Sequence, residues 1–354
     1  MIDRDDLRAA VASGLLTEKQ TADLTALAHS RKGAREDLSA GDEPFELFRG
    51  FNEIFIMVGL GILAAGWVGI TAAFSGRVND TLLTHSAMSS IVAVVLLWLL
   101  SEYFIRRRRM VGPAILLSLL FGANALVGFS ANFSQPFMVM RDDYSSLPLP
   151  VALATVAMAV FWVRFRVPFA MAMIAVALFV VAVMIAAISN GSPEGVSSLF
   201  MLSANGPFAW ITLALGLLVF GVAMYFDMSD PHRVTRRSAQ GFWLHVVAAP
   251  ALVNTVGLTL LAREGAGSQA MLLGFLALFA IVAIIIDRRS FLIAAIGYVV
   301  TLALAVFEID AALMVVFGLG VFLLLLGAFW ERIRARLLLL LPSFMPLDRL
   351  PPSH

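Results

Sequence analysis

Four polar residues draw attention by their surroundings. Asn124 and Asn254 lie deep inside long apolar runs, His245 lies just inside one, and Glu53 opens another. An amide in hydrocarbon must find a partner, so each Asn is either a hydrogen bond between helices or a contact for a solute. Asn254 shares a helical face with Val247, Pro250, Ala251 and Gly257. Three of those neighbours are compact, which favours a closely packed helix with Asn254 as its polar contact. Asn124, between Gly122 and Gly128, reads the same way. His245 falls on the face opposite Asn254, beside Trp243, and is expected to meet headgroups or a loop rather than to relay protons. Glu53 is expected to pair with an inner-loop Arg, and Glu102 with Arg106 one helical turn on.

Covalent chemistry has little to work with. The chain has no Cys, which removes disulfides, thiolate metal sites and cysteine nucleophiles. Its five His (His29, His85, His232, His245 and His354) form no His-x3-His pair of the kind that holds zinc. No Ser/His/Asp set or paired carboxylates align. Gly61, Ala65 and Gly69 make a small-residue ladder suited to helix packing, in no phosphate-binding context. The chain therefore reads as a non-enzyme without cofactor or metal.

The elements that position these residues follow from composition. Of 354 residues, 60% are apolar and 14% charged, and the mean hydropathy is +0.90. A soluble domain carries about 25% charged residues. The shortage of polar surface excludes a cytosolic enzyme, a disordered chain and a nucleic-acid binder. What remains is a polytopic membrane protein with the lipid bilayer as its main partner.

Crossing about 30 Å of hydrocarbon takes about 20 apolar residues. Ten runs qualify, at 54–74, 87–105, 111–131, 148–163, 168–189, 207–226, 241–262, 269–286, 290–307 and 311–330; the fourth and ninth are the least secure as full crossings. With ten spans and a cytoplasmic N-terminus, only Arg77, Arg141 and Arg263 of the 25 Lys and Arg fall outside, and the other 22 fall inside. That bias of about seven to one follows the positive-inside rule, and dropping a span would invert the rest. Arg106–Arg109 suffice as a topology anchor and would also attract anionic lipid, at about 1 kcal/mol per charge. The fold expected is all-α: a transmembrane bundle over 45–330, with both termini cytoplasmic.

Residues 1–44 read as a separate cytosolic unit. A short helix over 3–12 is broken at Ser13-Gly14, and Thr17 to Gln20 forms a capping box for a second helix to about Ala28. Such a hairpin is too small to bury a core alone. It either rests on the membrane or docks a cytosolic protein partner. Residues 29–44 read as linker, and no basic segment precedes an apolar one as in a signal peptide. The tail, 331–354, sets Arg332, Arg334 and Arg336 before Leu337–Leu341. It reads as a helix in the inner interface with Arg snorkelling to headgroups, or as a continuation of the tenth span.

Several stretches carry a resemblance: Arg49–Phe55, Asp227–Pro231, Thr235–Arg237, Phe242–His245, Phe329–Arg334, and the hairpin run Gly14–Gln20. Together they resemble a family of uncharacterised bacterial inner-membrane proteins, a domain of unknown function with an N-terminal helical hairpin and multiple spans. The resemblance implies fold and location, and no activity. The apparent lack of buried charge favours a non-catalytic scaffold or sensor. The alternative is a secondary transporter or permease for a neutral solute or lipid through Asn124 and Asn254, since ten spans divide into halves of inverted topology.

The ten-span topology predicts that reporter fusions after Gly191 and after Arg237 land on opposite sides of the membrane. Finding both on one side would refute it.

Overall fold

The computed structural model describes residues 51–75, 82–135, 138–141, 143–231, 233, 235–263, 265–288, 309–342 and 349–351, with single positions between 7 and 27 and between 296 and 300. The linker at 29–44 lies outside these residues, as does the expected ninth span, 290–307, apart from three single positions. Met1–Pro44 and Phe45–His354 are two compact units.

In the first unit, Leu7, Ala10 and Val11 are helical, and the chain turns at Gly14, whose φ is +73°. The capping box is formed reciprocally. Thr17 N–H donates to Gln20 Oε1 at 3.0 Å, and Gln20 N–H donates to Thr17 Oγ1 at 3.2 Å. Helical geometry resumes at Gln20, Thr21, Leu24 and Leu27. Closure of the two stretches into a hairpin rests on residues outside those described.

The second unit is all-helical among its described residues. Its helices are α1 (Phe51–Ser75), α2 (Leu82–Ser101), α3 (Val111–Phe133), α4 (Pro148–Phe165), α5 (Pro168–Asn190), α6 (Phe208–Met228), α7 (Arg236–Leu261), α8 (Ala266–Ile285), α9 (Ile309–Ala328) and α10 (Trp330–Leu340). The apolar residues run all round most of them, as in helices solvated by lipid. Proline opens α4 and α5, where its missing N–H is harmless. Thr235 caps α7 by accepting from Arg237 N–H at 3.0 Å. Eight helices, α1–α8, are long and apolar enough to cross a membrane. α9 makes a ninth only together with α10, from which it is bent by 79°. The described residues thus hold eight or nine helices fit to cross a membrane, with the expected span at 290–307 outside them. The bend also removes the reading of the tail as a straight continuation of the tenth span.

α2 ends in a π-helical segment, Glu102–Arg107. Trp98, Phe121, Phe161 and Phe165 interlock edge-on and tilted between α2, α3 and α4, with ring centroids 4.6–6.2 Å apart. α6 and α7 pack most intimately. A Cβ on Gly216 would lie 3.0 Å from the Ala251 Cβ, so a larger residue would separate them. Asn124 Nδ2 donates to the Ser90 carbonyl at 2.9 Å, joining α3 to α2, and a Cβ on Gly128 would lie 2.9 Å from Ser90 Cβ. α1 behaves differently. Leu60 is buried, but no residue from 61 to 73 is. A Cβ on Gly61 or Gly69 would meet nothing within 4 Å, so the expected packing ladder faces no described helix.

The connections at the two ends of the bundle differ. At the Arg-rich end the left-handed backbone positions are Arg109, Arg166, Arg233 and Asp287, with φ of 52–55°. At the other end, Gly191 and Gly206 take the positive φ values of the α5–α6 connection and Gly265 that of the α7–α8 turn. A left-handed residue with a side chain costs roughly 1–2 kcal/mol, which glycine avoids.

The α2–α3 contact predicts an order of damage. Asn124→Ala removes one interhelical hydrogen bond and should lower stability by about 0.6 kcal/mol, at most ~1.7. Gly128→Leu wedges the helices apart and should lower the melting temperature in detergent further. Equal effects would show that the close approach does not hold these helices.

Candidate functional site

The densest polar constellation lies at the Arg-rich end of α6, α7 and α8. Asp227 is the penultimate residue of α6 and is 6% exposed. Arg288, just past α8, places its guanidinium fork on that carboxylate. Nε donates to Oδ2 at 3.0 Å, Nη2 donates to Oδ1, and Nη2 also donates to the Ser238 carbonyl of α7 at 2.9 Å. His245 of α7 completes the group, its Nε2–H donating to Asp227 Oδ2 at 2.9 Å. The ring is fully buried and meets Phe220 edge-on at 5.5 Å. One carboxylate and one guanidinium balance when the imidazole is neutral. That balance matters, because removing an ion from water costs several kcal/mol unless a partner restores it. Gly241 makes the approach possible. A Cβ there would overlap Asp227 Oδ1 and lie 3.2 Å from the Ala223 carbonyl.

The neighbouring residue, Asp287, binds a second set. Arg233 donates to Asp287 Oδ2 at 2.7 Å and to its carbonyl at 2.9 Å, and Trp330 Nε1–H donates to Oδ1 at 2.7 Å. Two adjacent residues after α8 therefore clasp α6, α7, the α6–α7 turn and α10. Arg334 of α10 is buried and donates to the carbonyls of Ile285 and Pro351. The expected snorkelling of Arg334 to headgroups is thus replaced by an internal contact. Arg236, also buried, donates to the Phe165 carbonyl at 3.2 Å, where the end of α4 leaves acceptors unsatisfied.

The other expected residues fall as follows. His245 meets neither headgroups nor loop water, because its ring is sealed between α6 and α7. Glu53 is 2% exposed and accepts from the Gly112 N–H at 3.4 Å. The carboxylate thus sits on the N-terminus of α3, where a helix favours negative charge, and pairs with no Arg among the described residues. Glu102 does pair with Arg106 at 3.0 Å, and also bridges to Arg164 of α4 at 2.7 Å. Asn124 makes the α2–α3 bond and also lines a cleft. Asn254 is half-buried on α7. Of its expected stripe, Ala251 packs on α6 and Gly257 is buried, but Pro250 is exposed. The four sequence candidates do not converge on one site. The impression of few buried charges is corrected, since Glu53, Asp227, Asp230, Arg236, Arg288 and Arg334 are all buried.

Two hollows accompany these groups. The larger, about 620 Å³, lies between α1, α2 and α3 and includes Asn124. The smaller, about 130 Å³, lies between α5, α6 and α7 and includes Pro250 and Ala251 but not Asn254. Among the described residues, no three His, Asp or Glu gather as metal ligands. Comparison with known protein families, curated proteins and solved structures gives no match.

The ion pair predicts non-additive mutants. Asp227→Asn strands the buried Arg288 charge and should cost about 3–5 kcal/mol of stability. Adding Arg288→Gln removes the stranded charge, so the double variant should melt higher than Asp227→Asn alone. A double variant that melts lower would place the role of Arg288 elsewhere.

Proposed function

We propose that this integral membrane protein is a non-catalytic scaffold or sensor of a bacterial inner membrane, with its Arg-rich end in the cytoplasm and residues 1–44 available to a cytosolic partner. One observation carries the reading: both oxygens of Asp227 are taken up by Arg288 and His245, so this buried charge is spent on fastening helices. A coupled transporter needs an intramembrane ionisable group that exchanges partners or reaches water. The stretches behind the family resemblance add support, because Asp227, Thr235–Arg237, His245, Trp330 and Arg334 gather at the same end.

The second reading, a permease for a neutral solute or lipid, draws on the 620 Å³ cleft and the amide of Asn124 in its wall. Cysteine substitution separates the two, because the chain has no Cys. In sealed vesicles, Ser238→Cys and Asn254→Cys should resist a membrane-impermeant thiol reagent added from either side if the bundle is a closed scaffold. Rapid labelling of either position would overturn the scaffold and favour a water-filled path.

A further inference from the structure

The ends of α2 and α4 carry positive charge that their own neighbourhood does not balance. Arg106–Arg109 follow α2, and Arg164 and Arg166 close α4. Among the described residues of α1–α5, the carboxylates at this end are Glu102 and Glu53. Glu102 is shared by Arg106 at 3.0 Å and Arg164 at 2.7 Å, which brings the two helix ends together. Glu53 is buried on the Gly112 N–H. The clasp after α8 is different, since Asp227 answers Arg288 and Asp287 answers Arg233. At α2 and α4 the missing counter-charge has to come from outside the chain.

The π-helical turn decides where one of these cations stands. Arg108 N–H donates to the Tyr103 carbonyl at 3.0 Å, five residues back instead of four. Arg108 is thereby set beneath Tyr103. Its Nε and Nη2 donate to Tyr103 Oη at 3.2 and 3.1 Å, with the guanidinium carbon 5.5 Å from the ring centre. The phenol fixes the cation without cancelling it. The guanidinium keeps further N–H donors, and the Tyr103 hydroxyl keeps its proton to donate. Arg166 is held in the same manner, 4.6 Å over the Trp162 ring.

The surroundings state which anion reaches this place. Val92, Val95, Leu99 and Tyr103 recur at helical spacing and are all exposed, on a face of α2 that takes no part in the cleft with α1. On α4, Val156, Val160 and Val163 are exposed up to the residue before Arg164. Helix faces of this kind are solvated by acyl chains, and Tyr at their end marks the headgroup level. A lipid lying on Leu99 therefore brings its phosphate to Tyr103 and Arg108.

We infer that the π-helical end of α2, with the end of α4 beside it, is a discrete binding site for one acidic phospholipid. The phosphate accepts from Arg108 and from the Tyr103 hydroxyl, the chains lie along Leu99 and Val95, and Arg106 and Arg164, tied by Glu102, flank the headgroup. A net negative headgroup is preferred over a zwitterionic one, whose own cation would face the same Arg cluster. The site uses neither the Asp227 clasp nor the Asn124 cleft, so it stands apart from both functional readings.

The test titrates the full chain in neutral detergent with dioleoylphosphatidylglycerol or dioleoylphosphatidylcholine and counts bound lipids by native mass spectrometry. The first phosphatidylglycerol should bind more tightly than those that follow and than the first phosphatidylcholine. Arg108→Gln should weaken that first step about fivefold, the effect of one interfacial charge. Arg336→Gln removes an equal charge from exposed α10 and should leave the first step unchanged. Tyr103→Phe keeps every charge and should weaken it about threefold, and it also serves if Arg108→Gln fails to accumulate. Glycerophosphoglycerol, the same headgroup without chains, should not displace the lipid even in large excess. Equal losses in Arg108→Gln and Arg336→Gln would mean diffuse attraction and overturn the site. So would a first phosphatidylglycerol no tighter than phosphatidylcholine, or binding unmoved by Tyr103→Phe. Displacement by the chainless headgroup would make the cluster a site for a soluble anion and overturn the lipid.

Discussion

A carboxylate held away from water has to be neutralised by its own protein, and the Arg288 fork on Asp227 meets that requirement for this bundle. The pair fixes more than itself. Arg288 also takes the Ser238 carbonyl of α7, and Asp227 also takes His245, so three helices share one charge balance. The adjacent Asp287 extends the lock to the α6–α7 turn and to α10. The small residues near the lock are consequences of it. Gly241 must lack a side chain for Asp227 to come so close, and Ala223 presents its carbonyl at the same crossing.

Other polar contacts spread this organisation along the same end. Glu102 joins the π-helical turn of α2 to Arg164, Arg236 takes the terminal carbonyl of α4, and Glu53 seats α1 on the start of α3. Away from that end, close helix approach is joined by single polar contacts, the Asn124–Ser90 bond and those of Thr212 and Thr259 to the segment between α5 and α6. α1 has little of either, and its exposed length creates the cleft. The bundle is thus tied at one end and loose along one side, and the two features that can carry function occupy different parts of it.

The sequence was most legible where burial in lipid leaves few choices. Spans α1–α8, the capping box of Thr17 and Gln20, the Glu102–Arg106 pair and Asn124 as a helix contact all follow from composition and local spacing. The ionic lock was not legible. Asp227 reads as a loop residue because the apolar run stops at Phe226, whereas the helix continues to Met228 and keeps its carboxylate inside. Its partner lies 61 residues away, and no periodicity reports such a distance. One trace was present: Ser238, Gly241 and His245 lie at three- and four-residue spacing and mark a face that another group approaches. Helical spacing alone also misplaced the Gly61–Ala65–Gly69 ladder, since small residues permit contact without supplying a partner.

The left-handed turns serve two moments in the life of the chain. During insertion, before any helix has packed, positive charge near a span end decides which side that end keeps. In the folded bundle, the same positions must reverse the chain within a few residues. Glycine would suit the second task and contribute nothing to the first. Arg109, Arg166 and Arg233 carry a charge suited to the first task at an awkward backbone position, and Gly191, Gly206 and Gly265 take the positive φ values at the other end. A variant with glycine at the three Arg positions would have more relaxed turns and weaker instructions for its own orientation.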